Sequence, residues 1–134
     1  MVAVAAVIMR DGRVLACQRS RNDRFPLKWE FPGGKVKQGE TPEDALAREL
    51  QEELGASATI GAEIHRVRHK YSELTKNIEI IFFAAMLDQK PIENRIFERI
   101  DWIAPAELPK LDFLEADREL IDMLASGSIS VPQS

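Results

Sequence analysis

The sequence predicts an α/β fold, a layered sandwich with a mixed β-sheet and two main helices. Three observations carry this. Strand-like stretches lie before, between and after two segments of helical period. The first helical segment is punctuated at both ends, by Thr41-Pro42 and by Gly55. The chain has 134 residues, 45% hydrophobic and 30% charged, which suits one domain over residues 1–134.

Val2 to Met9 reads as a buried strand, and Arg10-Asp11-Gly12-Arg13 carries the Asp-Gly hairpin signal. Val14 to Arg19 returns as the second strand. Residues 20–28 form a polar, basic loop, Trp29-Glu30-Phe31 is a short extended piece, and Pro32-Gly33-Gly34 breaks it. Lys35 to Lys37 forms a further short strand. Thr41 is the expected N-cap of the first helix, Pro42 takes its first position, and Glu43 and Asp44 suit its positive end. Leu46, Ala47, Leu50 and Leu54 make its apolar face. Ser57 to Lys70 is a long strand bent at Gly61, Tyr71 to Asn77 a polar loop, and Ile78 to Leu87 the most apolar strand. Ile96 to Ile103 is the last strand, Leu114 to Ala125 the second helix, and residues 127–134 a loose tail.

The net charge of −4 argues against a nucleic-acid polymer as partner. A small nucleotide carried with its metal ion remains compatible. Cys17 is the only cysteine, so no intrachain disulfide forms, which fits a reducing, cytoplasmic setting. Met1 to Met9 lacks a basic leader and is cut off by Arg10-Asp11, so it does not read as a signal peptide. No stretch reaches 18 apolar residues, and no membrane partner is expected.

The most informative segment runs from Gly34 to Ala56. Between Glu40 and Glu53 stand six acids and one base, Arg48. At about 100° per residue, Glu49, Glu52 and Glu53 share an arc of about 100°. Like charges so placed destabilise a bare helix by roughly 0.2–0.5 kcal/mol per pair. A cation relieves that repulsion, and hard divalent ions prefer such oxygen ligands. In isolation an acidic helix face is more often merely solvated.

The spacing resembles that of the Nudix hydrolases, G-x5-E-x7-R-E-U-x-E-E-x-G-U, with U a bulky aliphatic residue. Gly34, Glu40, Arg48, Glu49, Leu50, Glu52, Glu53 and Gly55 fall in register. Only the last U departs, because Ala56 is small. The run Trp29 to Lys35 resembles the lead-in of the MutT-like branch, as do Trp102 and Asp112 to Asp117. The resemblance implies an αβα sandwich and Mg²⁺-dependent hydrolysis of nucleoside triphosphates to monophosphate and pyrophosphate, with Mn²⁺ able to substitute.

It also implies roles. Glu49, Glu52 and Glu53 would hold metal, with Glu49 the first choice for orienting or deprotonating the water. Arg48 would hold the carboxylates by charge-assisted bonds. Glu40 would brace the loop, Gly55 end the helix, Gly34 offer a carbonyl to the metal, and Lys35 reach phosphate. Many relatives carry an acid at the position of Ile96; Glu98 would share its face in a strand and is a candidate further metal ligand. Asp117 matches the residue that meets the purine edge, although a helix N-terminal acid explains it as well. An ionised carboxylate only accepts hydrogen bonds, which would suit the N–H-rich edge of guanine or its 8-oxo form. Arg19 matches a phosphate contact, and Phe31 would line the pocket. His65 and His69, four apart on a strand, read as structural or solvent-exposed.

The expected activity is therefore on a purine (deoxy)nucleoside triphosphate such as dGTP or 8-oxo-dGTP, in nucleotide pool sanitation. CTP or a modified dCTP is the enzymatic alternative, and a catalytically silent nucleotide-binding module the alternative of another class. Monomer and homodimer are both compatible with the sequence.

Overall fold

The computed structural model describes residues 1–70 and 77–134. The expected loop from Tyr71 to Asn77 lies almost wholly outside the described residues. In chain order the elements are β1 (Val2–Val7), β2 (Met9–Arg10), β3 (Arg13–Gln18), β4 (Trp29–Glu30), β5 (Gly33–Lys35), α1 (Pro42–Leu54), β6 (Ala58–His69), β7 (Ile78–Leu87), β8 (Arg99–Ile103) and α2 (Arg118–Ser126). Two 3₁₀ helices, Pro105–Lys110 and Glu115–Asp117, precede α2.

The strands form two sheets rather than one. The mixed sheet has the order β5-β1-β7-β6, with β1 and β7 parallel and the other pairs antiparallel. In the second sheet β3 pairs antiparallel with β2, β4 and β8. Asp11 and Gly12 both take positive φ, 53° and 75°, as the Asp-Gly turn between β2 and β3 requires. β6 is irregular between Ile60 and His65, around the expected bend at Gly61.

Side-chain alternation in β1 and β7 builds the sandwich. Val4, Ala6, Ile81, Phe83 and Ala85 face one way and pack with Leu46, Leu50 and Leu54 of α1. Ala5, Val7, Phe82 and Ala84 face the other way and pack with Leu120, Ile121 and Leu124 of α2. Helix, sheet and helix thus form three layers with two cores. Ala56, the small residue at the motif's last position, is fully buried in the α1 core.

Four expectations change. The short strand expected over Lys35 to Lys37 runs instead over Gly33–Lys35, so the glycines expected to break the chain pair with β1. The strand expected from Ile96 begins only at Arg99, because Asn94 bonds both the N–H and the carbonyl of Phe97 and holds a turn there. The second helix starts at Arg118, after a 3₁₀ turn. The tail is not loose. Val131 is buried, Gln133 bridges Met9, and Ser134 Oγ accepts a 2.7 Å bond from Leu87 N–H. Among the described residues no helix is long and apolar enough to cross a membrane, which leaves β-barrel proteins unaddressed.

Candidate active site

α1 presents its acids through well-made ends. Thr41 Oγ1 accepts from Asp44 N–H at 3.1 Å, Pro42 opens the helix, and Gly55 closes it at φ 63°. Arg48 is the organiser. Its Nε and Nη2 grip Glu40 at 2.6 and 2.9 Å, a two-pronged carboxylate contact. Nη1 donates to Glu49 at 2.9 Å and approaches Glu52 at 3.4 Å, and Nη2 also reaches the Lys35 carbonyl at 3.2 Å. Glu40 further accepts from Lys37 N–H at 2.9 Å. Arg48, with help from that N–H, holds the Glu40 carboxyl down to about 2. One guanidinium therefore ties the loop before α1 to two of the three helix carboxylates.

Those carboxylates differ in setting. Glu52 is exposed, Glu49 half-buried and Glu53 buried. Glu53 accepts from Gly33 N–H at 3.2 Å. Burial first, then the charges of Glu49 and Glu30, push its carboxyl well above the usual range, with the Gly33 bond opposing. Among the described residues no cation pairs with it. Gly34 fits closely against the cluster: a Cβ there would stand 2.5 Å from Glu49 Cδ.

No group of three or more His, Cys, Asp or Glu side chains able to hold a metal ion is found among the described residues. The donor set nevertheless suits one. Mg²⁺ keeps several waters and takes one or two carboxylates together with substrate phosphates, rather than an all-protein cage. Glu49 and the buried Glu53 would supply those carboxylates beside the Gly34 backbone. Glu52 lies further out, held toward Arg48.

Next to this cluster lies a cavity of about 330 Å³, within the range of small-molecule sites. Gly33, Gly34, Lys35 and Glu53 line it, as do Arg19, Glu30, Phe31 and Asp117. Ala5, Ile78, Ile80 and Phe97 add apolar wall. Phe31 packs against Phe82 and Phe113, with ring centroids 6.1 and 5.4 Å apart. Asp117 precedes α2 but makes no capping bond with its side chain, which is 5% exposed. Burial, then the Glu30 charge, raises its carboxyl well above the usual range, against the pull of Arg118. A carboxyl both donates and accepts when protonated and only accepts when ionised, and the upward shift at Asp117 favours the protonated form over the ionised one that the sequence reading assumed.

Of the expected residues, the fold thus gathers Arg19, Phe31, Gly34, Lys35, Glu53 and Asp117 around one cavity, with Arg48 and Glu49 behind Gly34. Glu98 does not join them. The period-2 argument fails because 96–98 is not strand: Ile96 lines the cavity, whereas Glu98 bonds Arg21 at 2.7 Å and is held below the usual range by it. Arg19 is not free to wait for phosphate; it pairs with Glu30 at 3.0 Å and Asp23 at 3.2 Å. Glu30 is the residue that sequence reasoning missed. Its carboxyl is raised by burial and partly held back by Arg19. The available signal was an acid between two aromatic residues, Trp29 and Phe31, both of which are buried.

Organised carboxylates beside a cavity of nucleotide scale, on an αβα frame, define a hydrolase of phosphoanhydride bonds. The chain belongs to the Nudix hydrolase family: a match to the NUDIX domain covers residues 1–124. It is 33% identical over 120 residues to the CTP pyrophosphohydrolase of Escherichia coli, covering 89% of this chain and 87% of that one. It is 44% identical over 85 residues to the 8-oxo-dGTP diphosphatase of Haemophilus influenzae, covering 62% and 61%. The crystal structure of a MutT NUDIX hydrolase from Burkholderia pseudomallei is similar at TM-score 0.80 and 27% identity, covering 90% of this chain and 95% of that one.

Proposed function

We propose that the chain is a cytoplasmic, Mg²⁺-dependent nucleoside triphosphate pyrophosphohydrolase acting on an oxidised guanine nucleotide such as 8-oxo-dGTP. The observation that carries this is the pairing of ends: carboxylates organised by Arg48 at one side of the cavity, a buried Asp117 beside an aromatic wall at another. The Hoogsteen edge of 8-oxoguanine offers an N7–H donor and an O6 acceptor. In its protonated form the Asp117 carboxyl answers both, accepting from N7–H and donating to O6. Phe31 supplies a flat apolar surface for the base. Lys35 and Gly34 meet the phosphates.

A bound divalent ion would neutralise the polyphosphate and lower the pKa of a water. The protein's part is positioning, which is most of what phosphoryl transfer asks. Arg48 fixes Glu49, and Glu49 orients the water and takes its proton. The water oxygen bonds to an inner phosphorus, the bridging P–O bond breaks, and monophosphate and pyrophosphate leave.

Cytosine is the second reading. Its N3 acceptor and N4–H₂ donor also match a neutral carboxyl, and one relative is named for CTP. Pyrophosphate release from 8-oxo-dGTP, dGTP, CTP and dCTP, with and without Mg²⁺, separates the two. Asp117→Asn keeps one donor and one acceptor, and should hold kcat/KM within about threefold while removing any loss of activity at higher pH. Asp117→Ala should lower kcat/KM about tenfold to a hundredfold. Cytidine turnover without guanine turnover would favour the second reading, and no metal-dependent turnover of any nucleotide would leave only a silent binding module.

A further inference from the structure

Behind the cavity, two imidazoles of β6 face two carboxylates at the start of α2. His65 Nε2 lies 3.1 Å from Glu119 Oε1, and His69 Nε2 lies 3.6 Å from Glu115 Oε2. Glu115 and Glu119 stand two residues before and two after Asp117. His65 is mostly buried and has a second neighbour: its ring lies 5.9 Å from that of Phe82, which packs edge-on against Phe31. His65 is therefore linked to Phe31 through Phe82, and its partner Glu119 stands two residues after Asp117. The approach of Nε2 to Glu119 is close but off the hydrogen-bond line, so this nitrogen is buried without an aligned acceptor. Such an atom is costly to leave unsatisfied.

We propose that His65 is a positioning residue for base recognition. It holds Asp117 through Glu119 and α2, and Phe31 through Phe82. The base contact and the His65–Glu119 contact then favour the same placement of α2 and strengthen each other. This rests on the reading that Asp117 grips the base. It assigns a role to a histidine that the sequence leaves as structural or solvent-exposed.

The test is steady-state pyrophosphate release with Mg²⁺, read as separate KM and kcat, alongside thermal melting. His65→Leu should raise KM for the preferred triphosphate about fivefold and leave kcat within about twofold. His65→Gln, whose amide nitrogen stands near the place of Nε2, should restore KM. In an Asp117→Ala background His65→Leu should add less than about twofold, the mark of two residues acting as one. An equal effect of His65→Leu in both backgrounds would overturn the proposal. So would a loss that follows melting temperature and is not rescued by Gln. If Asp117→Ala weakens binding and His65→Leu does not, only the role of His65 falls; if Asp117→Ala changes nothing, the base reading falls and this inference with it. Should His65→Leu fail to fold, Glu119→Ala on the exposed partner makes the same test, with a KM rise of about twofold expected and an unchanged KM against it.

Discussion

Gly33 and Gly34 are neighbours with opposite reasons for being glycine. A Cβ on Gly33 would overlap the Val4 carbonyl and crowd Ala5 Cα, both backbone atoms of β1. The three atoms nearest a Cβ on Gly34 all belong to the Glu49 carboxylate, the far end of a flexible side chain. Gly34→Ala should therefore fold, with its melting temperature close to the parent's, but swing Glu49 aside. Titration calorimetry should then show Mg²⁺ affinity down about tenfold, with kcat falling in step. Unchanged metal affinity would mean that Glu49 does not need its present place. Gly33→Ala should instead cost stability, because the pairing of β5 with β1 cannot yield without moving the sheet. The sequence reads both glycines as a break in the chain, whereas they belong to β5 and pair with Ala5 and Val4 of β1. Which atoms they approach was not legible, because Val4 is distant in sequence and Glu49 is fixed by Arg48 only in the folded protein.

At the scale of elements, α1 was the most legible part of the chain. Its cap, its first-turn proline and acids, and its terminal glycine act locally, so the sequence carries them without knowledge of the fold. Thr41→Ala removes the side-chain acceptor for Asp44 N–H and should cost about 1 kcal/mol in urea unfolding at pH 7. An unchanged midpoint would show that the cap is redundant with Pro42. Non-local elements read less well. The eight strands among the described residues divide into two sheets because β3 finds partners on both sides in β2, β4 and β8, which periodicity cannot reveal. Glu98 was misplaced for a related reason: period 2 holds only inside a strand, and Asn94 had already turned the chain. The last residues looked unanchored from composition, yet Val131 is buried against the α2 core and Ser134 reaches β7.

For the whole molecule, buried carboxyls set the response to pH. Glu53 and Asp117 are raised above their ordinary values of 4.5 and 3.8. A raised group stabilises the fold below its ordinary value, and that stability is lost as pH climbs through the folded value. Glu40 has the opposite sign: lowered to about 2, it stabilises above 4.5, and that stability is lost as pH falls toward about 2. Metal-free protein should therefore melt at progressively lower temperature as pH rises above about 4.5, with a separate decline on the acid side. Mg²⁺ should flatten the alkaline decline, because a cation favours ionised Glu53. In Glu53→Gln that decline should be shallower without metal, and Mg²⁺ should no longer alter it. A melting profile that Mg²⁺ leaves unchanged in the parent protein would count against metal at Glu53.

The alternation of β1 has one more consequence. Its Val4 and Ala6 belong to the α1 core and its Ala5 and Val7 to the α2 core, and its backbone carries Gly33 and Gly34 along one edge. A single extra residue between Val4 and Ala5 would turn half of the strand inside out, exchanging the cores beneath the phosphates and the base and sliding the glycine pair out of step with the acids. β1 is the ruler against which the two ends of the nucleotide are measured, and evolution can lengthen the loops around it far more freely than it can lengthen the ruler.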